Sequence, residues 1–234
     1  MKEDVKKLID EIVDELDTET RKGLAYEEHM NHLCLFGKRD SRYLKGVAAK
    51  AKKFWIPVRW FDCPPPTDPG AAYLVDGESY PLSENGSTDP AYPRHDLDRT
   101  GIDNESHLSC TAEACLEILD HIPGTEGKHV CIIGRGHAVQ MLGNALLYRT
   151  DCTVTVCHSK TENLREVVAT ADIVINSAPR LNPYTDVGFK LNRILLDISG
   201  ALSDWEDSNL LTYIGPREIG RVNTSVVLNR FANM

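Results

Sequence analysis

The sequence predicts an α/β protein, with a doubly wound parallel sheet in its second half and a smaller α/β domain ahead of it. Three observations carry this. From residue 109 onward, apolar runs alternate with helix-prone segments. Those runs are apolar without a polar face, as in strands covered on both sides. Between Cys63 and Glu105 the chain turns rich in Pro, Gly, Asp and Ser, which sets the two halves apart. The length of 234 residues suits one large domain or two small ones.

The elements follow in order. Val5, Leu8, Ile9, Ile12, Val13 and Leu16 recur at steps of three and four and make the apolar stripe of an amphipathic helix. LCLF (33–36) reads as a short strand closed by Gly37. YLKGVAAKAKKFW (43–55) is helix-prone and stopped by Pro57, and VRWF (58–61) is strand-like. The 63–105 stretch reads as a long loop. Its Tyr73, Tyr80 and Tyr92 favour an ordered wall of a site over a linker. A helix over 109–119 then precedes HVCIIG (129–134), the first strand of the larger sheet. VQMLGNALLY (139–148) is helical, TVTVCHS (153–159) a strand, TENLREVVATA (161–171) a helix and DIVINSAP (172–179) a strand. RILLDISG (193–200) and LLTYIGP (210–216) supply two more strands, and VNTSVVLNRFA (222–232) the last helix.

Charge and cysteine usage exclude several classes. Lys and Arg number 26 against 35 Asp and Glu, for a net charge of −9. This argues against a nucleic-acid binder, which needs a basic face. No apolar run approaches the roughly 20 residues of a membrane span, and MKEDVKKLIDEIVDEL lacks the apolar core of a signal peptide. Seven cysteines without a CxxC pair read as reduced thiols of a cytoplasmic protein.

The sharpest local feature is IIGRGHAVQMLG (132–143), which joins strand to helix. Gly134 and Gly136 permit a tight turn and let the backbone approach a pyrophosphate, with the positive end of the next helix facing the anion. The third glycine of the usual dinucleotide fingerprint is absent, since position 139 is Val. Set between strand and helix at the start of an alternating pattern, the turn marks a Rossmann-like dinucleotide-binding domain. An NAD site places an Asp or Glu at the end of the second strand for the ribose 2′-hydroxyl. Here that strand ends Cys157-His158-Ser159-Lys160-Thr161, with no carboxylate before Glu162. Ser159 and Lys160, with Arg135 from the glycine turn, suit a 2′-phosphate and hence NADP. His137 sits in the same turn, where it can touch the pyrophosphate or remain a surface imidazole. Asp197 ends a strand at the edge where open α/β sheets present ligand sites, and capping a loop is its plainer role.

The segment from Lys128 to Pro179 resembles the cofactor domain of the bifunctional methylenetetrahydrofolate dehydrogenase/methenyltetrahydrofolate cyclohydrolase family. In that family a GRS turn leads, at this spacing, to TVTVCHS, a short helix and ADIV. Here the turn is Gly134-Arg135-Gly136, and Val139-Gln140-Met141-Leu142 stands where the family has VGKP. ILLDISG (194–200) is similar to the family's VIDVG strand, and Ser109-Cys110-Thr111-Ala112 to its PCTP. Gly215 to Val222 echoes the loop before the family's last helix. The match is specific over 128–179 and fades on both sides.

The resemblance implies a folate domain with Tyr and Lys four apart on one helix. Lys50 fits the Lys, but the Tyr position falls on Gly46. Tyr43, two turns before Lys50 on the same helix face, is the replacement candidate, and Lys45 is a second Lys if the register slips. His95-Asp96-Leu97-Asp98 resembles the family's DVD segment, which makes Asp98 the candidate for holding the pterin. The LVQLPLP element has no counterpart. In a helix that also holds Lys45, Lys52 and Lys53, a solvated Lys50 is the plain alternative. The cofactor-binding set is Gly134, Arg135, Gly136, His137, His158, Ser159, Lys160, Ala178 and Pro179; the catalytic set is Lys50, Tyr43 and Asp98.

His29, His32 and Cys34 have a zinc-compatible spacing, but Cys34 lies in an apolar run and packs there, so no metal is expected. Cys110, Cys115, Cys131 and Cys157 read as buried thiols. The reading is then a substrate domain over 1–108, completed by a C-terminal helix over 221–234, and an NADP-binding domain over 109–220. The resemblance implies NADP-dependent oxidation of methylenetetrahydrofolate, hydrolysis of the methenyl product where Lys50 serves, and a homodimer. Two rivals are an NADP-dependent oxidoreductase for another small substrate and a non-catalytic nucleotide-binding homologue.

Overall fold

The computed structural model describes residues 2–25, 31–61, 71–75, 97–98, 108–139, 141–180, 193–208 and 211–234. They fall into two compact units, one of residues 13–110 and 223–234, the other of 1–12 and 111–222. Helix α1 (Lys2–Leu24) contributes to both. Its predicted stripe is buried at Val5, Ile9, Ile12 and Leu16, with Leu8 and Val13 half-buried beside it. Thr20 extends the stripe by returning its hydroxyl to the Leu16 carbonyl at 2.8 Å.

In the smaller unit, β1 (His32–Phe36) lies between β2 (Val58–Phe61) and β3 (Ala71–Val75) and runs parallel to both. The crossover from β1 to β2 is α2 (Arg42–Lys53), started by Ser41, whose hydroxyl accepts from the Leu44 N–H. Leu44, Val47 and Ala51 form its buried face. Past its end the chain reverses through Trp55 at φ 60°. Strand β3 corrects the reading of 63–105 as a loop throughout. AAYLV is short, wholly buried and without alternation, so only its pairing with β1 marks it as strand. Leu97 is tied to it, donating its N–H to the Tyr73 carbonyl at 2.7 Å. Tyr80 and Tyr92 lie outside the described residues.

In the larger unit, α3 (Cys110–Asp120) leads to a five-stranded parallel sheet. Its strands are β4 (His129–Ile133), β5 (Thr153–Cys157), β6 (Ile173–Asn176), β7 (Arg193–Asp197) and β8 (Leu211–Ile214). Their order is β5-β4-β6-β7-β8, so the chain winds one way to β5 and then back across β4. Helices cover both faces. On one, α4 (Leu142–Arg149) rests Gly143 over Ile132, Val154 and Val156. On the other, Val168 of α5 (Leu164–Thr170) packs with Cys131, Cys157, Val174 and Leu195. The fold is the doubly wound α/β architecture that the apolar runs predict.

Two helices differ from the sequence reading. The segment from Val139 is not one helix: His137–Val139 makes a single tight turn, Met141 adopts a left-handed φ of 62°, and α4 starts at Leu142. The last helix, α6, spans Pro216–Ala232 and so begins six residues before Val222. Pro216 is well suited to a first helical turn, where its missing N–H costs nothing. The likeness of 215–222 to a loop therefore does not hold in three dimensions.

Candidate active site

The carboxyl ends of β4, β5 and β6 gather the predicted cofactor residues of the larger unit. Gly134 follows β4 at φ 114°, and a Cβ there would lie 2.2 Å from the Ser177 hydroxyl at the end of β6. Glycine is thus required by the close approach of β6 as well as by the turn. The turn is pinned on both sides: the Gly134 N–H donates to the Cys157 carbonyl and the Ser177 N–H to the Ile133 carbonyl, each at 2.8 Å. Gly136 is different. It is exposed, its φ is ordinary, and an added Cβ meets nothing within 4 Å. Arg135 beside it is exposed and His137 is half-buried.

At the end of β5 the His158 N–H donates to Thr161 Oγ1 at 2.9 Å, and the Lys160 N–H donates to His158 Nδ1 at 3.1 Å. The imidazole is therefore used by its own turn through Nδ1, leaving Ser159 and Lys160 exposed at the tip. Register pairs Ile133 with Cys157, which sets the Gly134–Gly136 turn beside this tip. Ala178 and Pro179 follow β6, half-buried and exposed respectively. Thr161, Asn176, Ser177 and Ser199 were not singled out in the sequence. The signal for the last three was a polar residue closing each of two apolar strands. An open turn, an exposed hydroxyl and two cations without a carboxylate fit a dinucleotide that carries a 2′-phosphate.

Burial governs the titratable groups nearby. It pushes the Cys131 thiol well above its ordinary range, and the Cys157 sulfur at 3.8 Å adds to this. Burial alone takes Cys115 to about 12. These are inert core thiols, and none of the six described cysteines is in a disulfide. Burial, then the Asp197 charge, also raises Tyr213, which keeps its hydroxyl a donor.

The smaller unit holds the residues predicted as catalytic. Tyr43 and Lys50 do face one way: Tyr43 donates its hydroxyl to Asn223 Oδ1 at 3.2 Å, and Lys50 bonds the Ser225 hydroxyl. Between them an added Cβ at Gly46 would lie 3.6 Å from Thr224. Lys50 also forms an ion pair with Asp17 of α1 at 2.7 Å, and the two side chains are only 12% and 18% exposed. Lys45 is exposed, as are Lys52 and Lys53. Asp98 is buried, and its carboxylate accepts the Cys110 N–H at 2.7 Å, capping α3. His29 lies outside the described residues, while His32 and Cys34 are buried on β1. Among the described residues no cluster of three or more His, Cys, Asp or Glu is placed to hold a metal.

The larger unit is thus a dinucleotide-binding domain by its switch-point turn and its phosphate-friendly strand end. Residues 109–211 match the model of the tetrahydrofolate dehydrogenase/cyclohydrolase NAD(P)-binding domain. A bifunctional protein FolD of Orientia tsutsugamushi is 41% identical over 96 residues, 41% of this chain but only 32% of the relative. The chain thus spans about a third of that relative's length in the match. Solved structures extend the likeness in fold to nearly the whole chain. The bifunctional FolD dehydrogenase/cyclohydrolase of Campylobacter jejuni has a TM-score of 0.73 at 23% identity, over 98% of this chain and 96% of that one. The methylenetetrahydrofolate dehydrogenase-cyclohydrolase of Trypanosoma brucei, solved with NADP and an inhibitor, has a TM-score of 0.65 at 20% identity, over 98% and 94%.

Proposed function

We propose that this protein oxidises 5,10-methylenetetrahydrofolate to the 5,10-methenyl form with NADP. The observation that carries this is the glycine turn at the switch point, within a segment that matches the family and beside a strand end that offers Ser159 and Lys160 in place of a carboxylate. In this reading Gly134 and Gly136 admit the pyrophosphate, and Arg135, Ser159 and Lys160 hold the 2′-phosphate. His137 and His158 flank them, and Ala178 and Pro179 form the wall on the other side of β4. The bound nicotinamide supplies the hydride acceptor, and the protein's own task is to orient it and exclude water. The substrate domain is the reading for residues 1–108 with 221–234, and the cofactor domain for 109–220.

Hydrolysis of the methenyl product rests on Lys50. Asp17 pairs with its side chain at 2.7 Å and holds it in place, and Gly46 offers no hydroxyl beside it. A held cation is a poor base, so oxidation outruns hydrolysis. Asp98 and Tyr43 belong to the same proposed site. A second reading, an NADP oxidoreductase for another small substrate, draws on identity that covers only 32% of the Orientia tsutsugamushi relative's length. An absorbance assay with methylenetetrahydrofolate decides between them. NADPH formation with NADP and little with NAD, together with accumulating methenyl product, is the expected result. NADP binding without turnover on the folate excludes the first reading. We also place the protein in the cytoplasm as a homodimer. No described helix is long and apolar enough to cross a membrane.

A further inference from the structure

Behind the Ala178–Pro179 wall lies a buried polar network. Asn176 closes β6 and Asp197 closes β7, and both are fully buried. Asp197 Oδ1 accepts from Asn176 Nδ2 at 2.9 Å, the Ser199 hydroxyl at 3.1 Å and the Gly200 N–H at 3.1 Å. Its Oδ2 accepts from the Leu202 N–H at 2.8 Å and the Tyr213 hydroxyl at 3.2 Å. Five donors converge on one carboxylate, which is how a buried charge is tolerated without a cation. The network then reaches outward. Asn176 Oδ1 accepts the Ala178 N–H at 2.9 Å, and the Ser199 proton, shared with Asp197, points also to the Ala178 carbonyl at 3.2 Å.

Ala178 is thus gripped by both of its backbone polar groups, and Gly200 and Leu202 by their N–H groups. All of these lie at the carboxyl ends of β6 and β7, on the side of β4 away from β5. A dinucleotide laid across the switch point puts its adenosine half toward the second strand, β5, and its other half over β6 and β7. Strand capping alone explains the bonds to Gly200 and Leu202. The Asn176 bond to the Ala178 N–H is a local turn two residues on, but neither turn nor strand cap explains why the Ser199 hydroxyl, 21 positions away, also reaches the Ala178 carbonyl.

We infer that Asp197 is a positioning residue for the nicotinamide half of the cofactor, acting through Asn176 and Ser199 on the Ala178–Pro179 wall. This rests on the cofactor reading above. The phosphate contacts of β4 and β5 lie outside its reach, so the two halves of the cofactor respond differently to its loss.

The test is Asp197→Asn, titrated with NADP and with adenosine 2′,5′-bisphosphate, which lacks the nicotinamide. The amide keeps the volume but replaces an acceptor with a donor, so one arm of the network opens. The expected result is a loss of about tenfold in NADP affinity, the loss of roughly one charged hydrogen bond's worth of order. Affinity for the fragment stays within about twofold, as for a group far from its contacts. Backbone amide exchange at Ala178 and Gly200 accelerates in the variant. Equal losses for both ligands, or none for either, would overturn the positioning role and leave Asp197 a strand cap. A wild-type protein that binds neither ligand sinks the cofactor reading instead, and unchanged exchange at Ala178 then removes the grip itself. If Asp197→Asn does not fold, Ser199→Ala is measured in the same way, with the same split expected.

Discussion

Gly134 and Gly136 look alike in the sequence and do different work. At Gly134 the backbone is left-handed and the Ser177 hydroxyl occupies the place of a Cβ. Gly134→Ala therefore costs about 2–4 kcal/mol, from strain together with overpacking, read as a lower midpoint in thermal or urea unfolding. Gly136 has neither constraint. Gly136→Ser, which restores the residue of the family's turn, changes stability by less than about 0.5 kcal/mol. Its hydroxyl can donate to a phosphate oxygen, so NADP binds about fivefold more tightly, the effect of one net hydrogen bond. Weaker binding in that variant would mean that the turn does not face the phosphates. The spacing of the two glycines was legible in the sequence. Their division of labour was not, because Ser177 is brought to Gly134 only by the crossover from β5 back across β4.

At the scale of elements, one face of α2 meets the start of α6's second half. Tyr43 reaches Asn223, Gly46 stands beside Thr224, and Lys50 bonds Ser225 while pairing with Asp17 of α1. The periodicity that put Tyr43 and Lys50 on one face was legible in the sequence. The Asp17 partner was not, since it lies on α1, 33 positions before Lys50, and no local spacing marks it. Helix bounds failed where a special backbone intervened: Met141 interrupts the run from Val139, and Pro216 starts α6 early. The Lys50 anchor has a measurable signature. Lys50→Met leaves Asp17 poorly compensated and costs about 2–3 kcal/mol, which Asp17→Asn in the double variant partly restores. Asp17→Asn alone removes the ion pair and leaves the Ser225 bond, and the ratio of methenyl hydrolysis to NADPH formation rises. A ratio that falls or stays level would show that Asp17 does not restrain Lys50 in the reaction.

At the scale of the whole molecule, the larger unit was readable because each strand is a long enough apolar run between helix-forming segments. The smaller unit was only partly so. β1 and β2 stood out, while β3 hid in a stretch dominated by turn-forming residues and becomes a strand through its register with β1. The proposed homodimer has a physical starting point in the larger unit. Among the described residues β5 pairs only with β4, which makes it the edge strand of this sheet. Val156 on this strand and Leu147 and Tyr148 on α4 are exposed apolar residues, at 51%, 47% and 87% exposure. Gly143 and Leu147 are one turn apart on α4, and Gly143 rests on Val154 and Val156, so these exposed apolar side chains belong to a helix and an edge strand packed on each other. Such surfaces on a sheet edge mark association sites more often than idle surface. The expected state is a dimer by light scattering at micromolar concentration. Val156→Lys sets a charge in the middle of that surface and shifts the protein to monomer, with its far-ultraviolet dichroism unchanged. A wild type that runs as a monomer, or a variant that remains a dimer, would move the association away from the β5 edge.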